Sequence, residues 1–555
     1  MNRNILLPLM LLLCFADLLG ADQPAQVFRR YFRNVDIPQI TSGPNALAAL
    51  APAGGALSMS EQTAIELALQ SNIDINVERH SRWIALEDLR RQRAPFDPVG
   101  RFNVLLDRLT SPTTSVLAGG KEVTEIRTTY DLDYRQDFPA GGGFEVRGGG
   151  NRFRTTNTFF NLIPAIGTNF EVILRQQLLQ GFGAVPATYR LRIARNNVTV
   201  SEEEFRRKAS DVILQVQDRY WELAFAGEDL QVKQKSLDLA NTVLKQNRDR
   251  LQVGTAARLE VIQSEAEVAA RQEEFIRTQY NYRRVQDQLV KLISNFQDPR
   301  EFQAEIRPAS PVELPGATGN DFKQLFEIAR QNRPELKQAE LDVANQRIQF
   351  ELTQNRLKPR LDLQASYKQV GLGGNLLLRD FSGGLFNAPI IGVTPGGLAE
   401  SLRQLFGGDF KGYTVGFNLQ FPIFNHEARA DNATAGLELS RAEMRRASLF
   451  QAVALEVRDA LTQMDSNRAR LQAAQAAARF ARERYEGEQV RFEVGTATTR
   501  DLIEAQRDLV AAESSEVRAK IDLIKSHSVL QRATGETFAA HRIDLQQTLA
   551  QNVNP

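Results

Sequence analysis

From Phe450 onward, apolar and small residues recur at alternating steps of three and four: Phe450, Val453, Val457, Ala460, Met464, Asn467, Leu471, Ala474, Ala478, Ala481 and Tyr485. Ile213, Val216, Tyr220, Leu223, Gly227, Leu230, Gln234, Leu237, Asn241 and Leu244 keep the same beat earlier in the chain. A sustained 3.5-residue period predicts left-handed coiled-coil packing. The seams are rich in alanine and carry polar residues, which suits helices packed side by side in a wall. A plain structural coiled coil gives the same signal. Ala187 to Val253 contains no proline and one glycine, Gly227, and His426 to Val494 is similar. At ~1.5 Å per residue each stretch makes a rod of roughly 100 Å. Such a rod must find partners along its length.

A period of two replaces the helical beat elsewhere. In TVGFNLQFPIF, Val415, Phe417, Leu419, Phe421 and Ile423 alternate with Thr414, Gly416, Asn418 and Gln420. RLDLQASYKQ alternates likewise, and GRFNVLLDRL, TTYDLDYRQDF and NFEVILRQQLL do so more weakly. This pattern fits membrane strands with an apolar lipid face and a polar lumen, and equally a soluble sheet covered on one face. The glycine-rich stretches AGGGFEVRGGGNRFRTTN and GLGGNLLLRDFSGGLFN read as polar loops between strands. Two or three strands per half cannot close a barrel, which needs about eight. An open edge in lipid would leave backbone groups unpaired. If these strands span a membrane, several chains must share one barrel.

The chain is an internal duplication. VGTAARLEVIQSEAEV at Val253–Val268 returns as VGTATTRDLIEAQRDL at Val494–Leu509, and AIELALQSN at Ala64–Asn72 returns as LFEIARQNR at Leu325–Arg333. Residues 59–297 form a first repeat and 321–536 a second, joined by a Pro- and Gly-rich linker at 298–320 and followed by a tail at 537–555. Each repeat runs short helices, strands, a very long helix, a turn and another long helix. In the VGTA turns, Gly254 and Gly495 suit a left-handed helix end, and Thr255 or Thr496 can cap the next helix. The turns therefore mark the far tip of a hairpin.

Residues 1–21 read as a secretory signal: Arg3, an apolar run from Ile5 to Phe15, then small residues, with Ala16 or Ala21 as the cleavage site. Residues 22–58 read as a flexible leader. The single cysteine, Cys14, lies in the signal, and Leu13 before it is too large for a lipoprotein site. The exported chain would owe nothing to disulfides. Net charge is +1, with 24% charged residues and a mean hydropathy of −0.33. Nothing there points to nucleic acid, and no run is long and apolar enough for a membrane helix. His80, His426, His527 and His541 lack metal-ligand spacing, and no P-loop, GxSxG or HExxH motif is present. Enzymatic activity, a resident metal and a cofactor are not expected.

The paired VGTA turns with their following helices, together with the strand-to-helix returns RQQLLQGFG (Arg175–Gly183) and LQFPIFN (Leu419–Asn425), resemble the TolC-type outer-membrane efflux ducts of Gram-negative bacteria. The resemblance covers residues 60 to 536. It implies a mainly α fold with membrane β: a trimeric twelve-stranded β-barrel over a long periplasmic coiled-coil α-barrel, with an equatorial belt at 298–332 and the tail. It implies a passive exit duct of a tripartite efflux or type I secretion system, taking substrate from a periplasmic adaptor and an inner-membrane pump of RND, ABC or MFS type. Val253, Gly254, Thr255, Val494, Gly495 and Thr496 would then dock the adaptor. Asp501 and Glu504, three apart on one helix face, would ring the closed aperture and favour cations. The residues also permit blander roles: a helix-start carboxylate for Asp501 and a solvated face for Glu504. The family pattern places an arginine two residues after the tip glycine, where this chain has Ala497, so the lock is expected to differ. In the first repeat the matching positions are Glu260 and Gln263. The competing reading is a periplasmic adaptor-like coiled-coil protein, which the duplication and the paired strands disfavour.

Overall fold

A computed structural model describes residues 39–40, 57–113, 118, 120–254, 257–295, 305–314, 316, 321–380, 382, 388–544 and 553–554. The signal at 1–21, most of the leader at 22–58, Cys14 and Thr255 lie outside the described residues.

The helices repeat almost length for length, while the strands do not. The first half has β1 (Leu57–Met59), α1 (Glu61–Ser71), α2 (Ile73–Arg91), β2 (Val99–Pro112), β3 (Glu122–Asp137), β4 (Gly143–Thr155) and β5 (Leu162–Gln177). It ends in α3 (Ala184–Gln252, 69 residues) and α4 (Arg258–Ile293, 36 residues). A short strand β6 (Ile306–Pro308) leads to α5 (Phe322–Asn332), α6 (Pro334–Arg356), β7 (Arg360–Arg379), β8 (Ile390–Thr394), α7 (Leu398–Gly407) and β9 (Phe410–Gln420). The second half ends in α8 (His426–Glu493, 68 residues), α9 (Thr499–Thr534, 36 residues) and the short α10 (Thr537–Ala540). Both rods are continuous helices. No helix is long and apolar enough to cross a membrane among the described residues.

The seams are buried as the 3.5 period requires. Val453, Val457, Ala460, Met464, Asn467, Leu471 and Ala478 are buried in α8, and Ile213, Val216, Tyr220 and Leu223 in α3. Gly227, Leu230, Gln234, Phe450, Ala474, Ala481 and Tyr485 are half-buried, and Asn241 is exposed while Ala240 takes its place, because the apolar Leu237, Ala240 and Leu244 sit on one face and an amide gains more from water. The largest core lies at mid-length, where β1, α1, α2 and β6 pack on the long helices through Ile65, Ile75, Phe205, Leu289, Ile293 and Ile306. Each such side chain contributes about 1.5–3 kcal/mol by burial. The linker is part of this girdle. β6 pairs in parallel with β1, the Tyr220 hydroxyl donates to Met59 O at 3.0 Å, and the Tyr282 hydroxyl donates to Ile306 O at 2.9 Å.

The strands form one antiparallel sheet in the order β9-β7-β5-β4-β3-β2, with β8 on the far end of β7. Two stretches expected as loops belong to it. GFEVRGGGNRFRT is β4, and GLGGNLLLR completes β7. Glycine is affordable in β4 because its neighbours supply the bulk: Gly148 faces Leu132 and Phe170, and Gly150 faces Tyr130. In β7, Cβ atoms at Gly371 and Gly373 would strike the backbone oxygens of Ser401 and Gly397, so glycine lets α7 lie on the strand. The first half thus holds four long strands and the second two.

Candidate functional site at the hairpin tips

Each long helix ends in the same turn. Val253 and Val494 close α3 and α8, and Gly254 and Gly495 follow, both with φ +79°, where an L side chain is strained. Gly254 N–H donates to Leu251 O at 3.0 Å, and Gly495 N–H to Phe492 O at 3.1 Å. Val253 is 73% and Val494 70% exposed, and a Cβ on either glycine would meet nothing within 4 Å. Two large apolar side chains stand in open solvent at the ends of two rods. Thr496 does not cap α9. Its hydroxyl and N–H both donate to Arg491 O, at 3.1 and 2.8 Å, which tightens the last turn of α8. The cap is Thr498, and α4 starts from Ala257 without a side-chain cap.

Asp501 completes a capping box: its carboxylate accepts from Thr498 N–H at 3.0 Å and from the Thr498 hydroxyl at 2.8 Å. The backbone donor, with the hydroxyl behind it, holds this carboxyl below the usual range. Glu504 is exposed and lies 3.9 Å from Arg484, which also pairs with Asp508. Both acids lie on the solvent side of α9, while Leu502 and Ala505 face inward.

The two tips are tied side by side. The Arg250 guanidinium lies 4.2 Å from the centre of the Phe492 ring and donates to Phe492 O at 3.1 Å. Phe492 is buried with Val243 and Leu502, and Ala497 packs against them. The position where the family pattern has arginine is therefore a wall of a small apolar cluster. Beside it, Asn247 donates to Ser264 Oγ at 2.8 Å and to Thr499 Oγ1 at 3.3 Å, and the Thr499 hydroxyl donates to Glu260 at 3.4 Å. Higher up, buried Glu267 on α4 pairs with Arg271 and reaches Arg507 on α9. Burial pushes its pKa up, but the Arg507 and Arg271 guanidiniums outweigh that and hold it below the ordinary value. Sequence reasoning missed Arg250, Asn247 and Thr499. Asn247 lies three residues beyond Leu244, where a polar seam residue was the available signal.

A duplicated pair of long periplasmic-type hairpins, a membrane-type sheet and exposed twin tips define a subunit of an outer-membrane export channel. The chain matches the outer membrane efflux protein family over residues 152–295 and 325–536, and it belongs to that family. It is 23% identical over 365 residues, 65% of this chain and 68% of the relative, to the pyoverdine export outer membrane protein OpmQ of Pseudomonas aeruginosa. Its fold is similar to that of the CmeC outer membrane channel of Campylobacter jejuni, with TM-score 0.58 and 16% identity over 94% of this chain and 97% of that one. VceC of Vibrio cholerae, an outer membrane protein, gives TM-score 0.58 at 14% identity over 86% and 96%. The protein is thus an outer-membrane efflux channel with a periplasmic helical extension, and its family is one of channels, not enzymes.

Proposed function

We propose that the protein is the exit duct of a tripartite export assembly. Three copies join around a common passage, a periplasmic adaptor docks on the tips at Val253, Gly254, Thr255, Val494, Gly495 and Thr496, and an inner-membrane pump delivers substrate through it. The duct conducts passively, with no catalytic step and no cofactor. The observation that supports this most is the pair of matching turns: both glycines at φ +79°, both valines exposed, the two tips latched through Arg250 and Phe492. A surface built twice and left uncovered fits a repeated contact with a partner. Asp501 and Glu504 would line the aperture, three copies of each, where carboxylates favour cations and oppose anions. OpmQ is named for pyoverdine export, so pyoverdine belongs in the first substrate panel.

A photo-reactive residue at Val253 or at Val494 tests the docking. Ultraviolet illumination in cells should give an adduct with an adaptor-sized periplasmic protein, while the same residue at Ile423, at the sheet end, should not. No adduct from either tip would remove the docking role.

A further inference from the structure

We infer that each chain gives six strands to the membrane wall, so that three chains close an eighteen-strand barrel in which β2 of one copy pairs with β9 of the next. The inference rests on the trimeric duct proposed above. A twelve-strand wall would take four strands per chain, whereas the sheet runs unbroken through six. The family match begins at residue 152, inside β4, so β2 and β3 lie outside it.

Two cross-strand rows, one through all six strands and one through the five from β7 to β2, tie the strands into one wall. The first row is Tyr413, Tyr367, Val172, Val146, Tyr134 and Gly100, each directly opposite the next. It carries the apolar face from β9 to β2, where Phe102 and Val104 continue it on the same side. The second row, on the opposite face, is Lys368, Glu171, Arg147, Asp133 and Arg101. Its charges alternate strictly in sign, and directly opposed unlike charges stabilise a strand pair. If β2 and β3 lay off the wall, the apolar row would lose its lipid and the charge ladder its last two members.

The edges specify the partner. β2 and β9 are the ends of the sheet and do not pair with each other. β2 is 14 and β9 is 11 residues long, and Leu106, Val415 and Phe417 are among their exposed side chains. Such edges are untenable in lipid unless paired. All neighbours in the sheet are antiparallel. With an even number of strands, β2 and β9 run in opposite directions, so a second copy of this chain fits edge to edge and the ring stays antiparallel throughout. At ~4.8 Å between strands and a tilt of ~40°, eighteen strands span roughly 36 Å from backbone to backbone, against roughly 24 Å for twelve. The enclosed area is about twofold larger.

Electron microscopy of the full-length protein in lipid nanodiscs counts the strands. Eighteen in a threefold wall is the expected result; twelve, with residues 99–137 outside the wall, overturns the inference while leaving the duct intact. Cysteine pairs give a second reading. Asn418→Cys combined in turn with Arg101→Cys, Asn103→Cys or Asp107→Cys, all on the polar face, should oxidise to a covalent trimer in at least one combination. Asn418→Cys with Asn151→Cys on β4 should not. Linkage through β4 alone overturns the inference, and a monomer in both experiments overturns the duct reading with it.

Discussion

Replacing Gly495 by glutamate separates docking from folding. Gly495 sits at φ +79°, where an L side chain costs about 1–2 kcal/mol. A new Cβ meets nothing within 4 Å, and the turn bond from Gly495 N–H to Phe492 O uses backbone atoms alone. The strain is therefore confined to the tip, far from the mid-length core around Ile293 and Ile306. Trimer yield and melting temperature should stay close to wild type. Export should fall at least tenfold, because a charge beside Val494 intrudes on the docking surface, and tenfold corresponds to about 1.4 kcal/mol of lost contact. Gly495→Asn is the control, since asparagine tolerates the left-handed region and adds no charge. The assay is complementation of a deletion strain, scored as export rate per trimer in the outer membrane. Normal export by the glutamate variant would refute docking at this turn. Equal failure of both variants with intact trimers would trace the effect to backbone conformation instead.

Asp501→Ala combined with Glu504→Ala should raise single-channel conductance in planar bilayers and weaken block by divalent cations. Unchanged conductance and block would leave Asp501 as a helix cap alone. Phe492→Ala removes a buried ring and its Arg250 contact, at about 3–5 kcal/mol for the ring. Hydrogen exchange over residues 485–505 should speed up by at least tenfold while the girdle around Ile293 stays protected, and uniform protection would argue against a tip latch. The Glu267 carboxylate has a folded pKa depressed below its ordinary 4.5, so its contribution is complete above that value and is lost as pH falls through the folded pKa. The difference in melting temperature between wild type and Glu267→Gln should therefore be constant from pH 7 to 5 and shrink below about 4.5, with the smaller acid drop in Glu267→Gln; parallel curves would contradict the clasp.

The long helices were legible because the 3.5-residue beat of seams such as Val453–Val457–Ala460–Met464 is local and self-repeating. The duplication was legible for the same reason: two copies of VGTA lie in one chain. β9 was legible because its alternation is unbroken. β4 was not, because glycines 148–150 look like a loop until Leu132, Tyr130 and Phe170 are placed opposite them, and that pairing is set by other strands. The tip latch was hidden too. Arg250 and Phe492 lie in different repeats, and nothing in either local pattern says that they meet. Ala497 reads as a departure in sequence and becomes intelligible only beside Phe492 and Leu502.

The claim on which the rest depends is that one chain is a fraction of a cylinder and that three make the duct. Native mass spectrometry of the protein extracted from outer membranes in mild detergent tests it most directly. The predicted result is a single species of three chains. A discrete monomer, stable in detergent and in aqueous buffer alike, would contradict it.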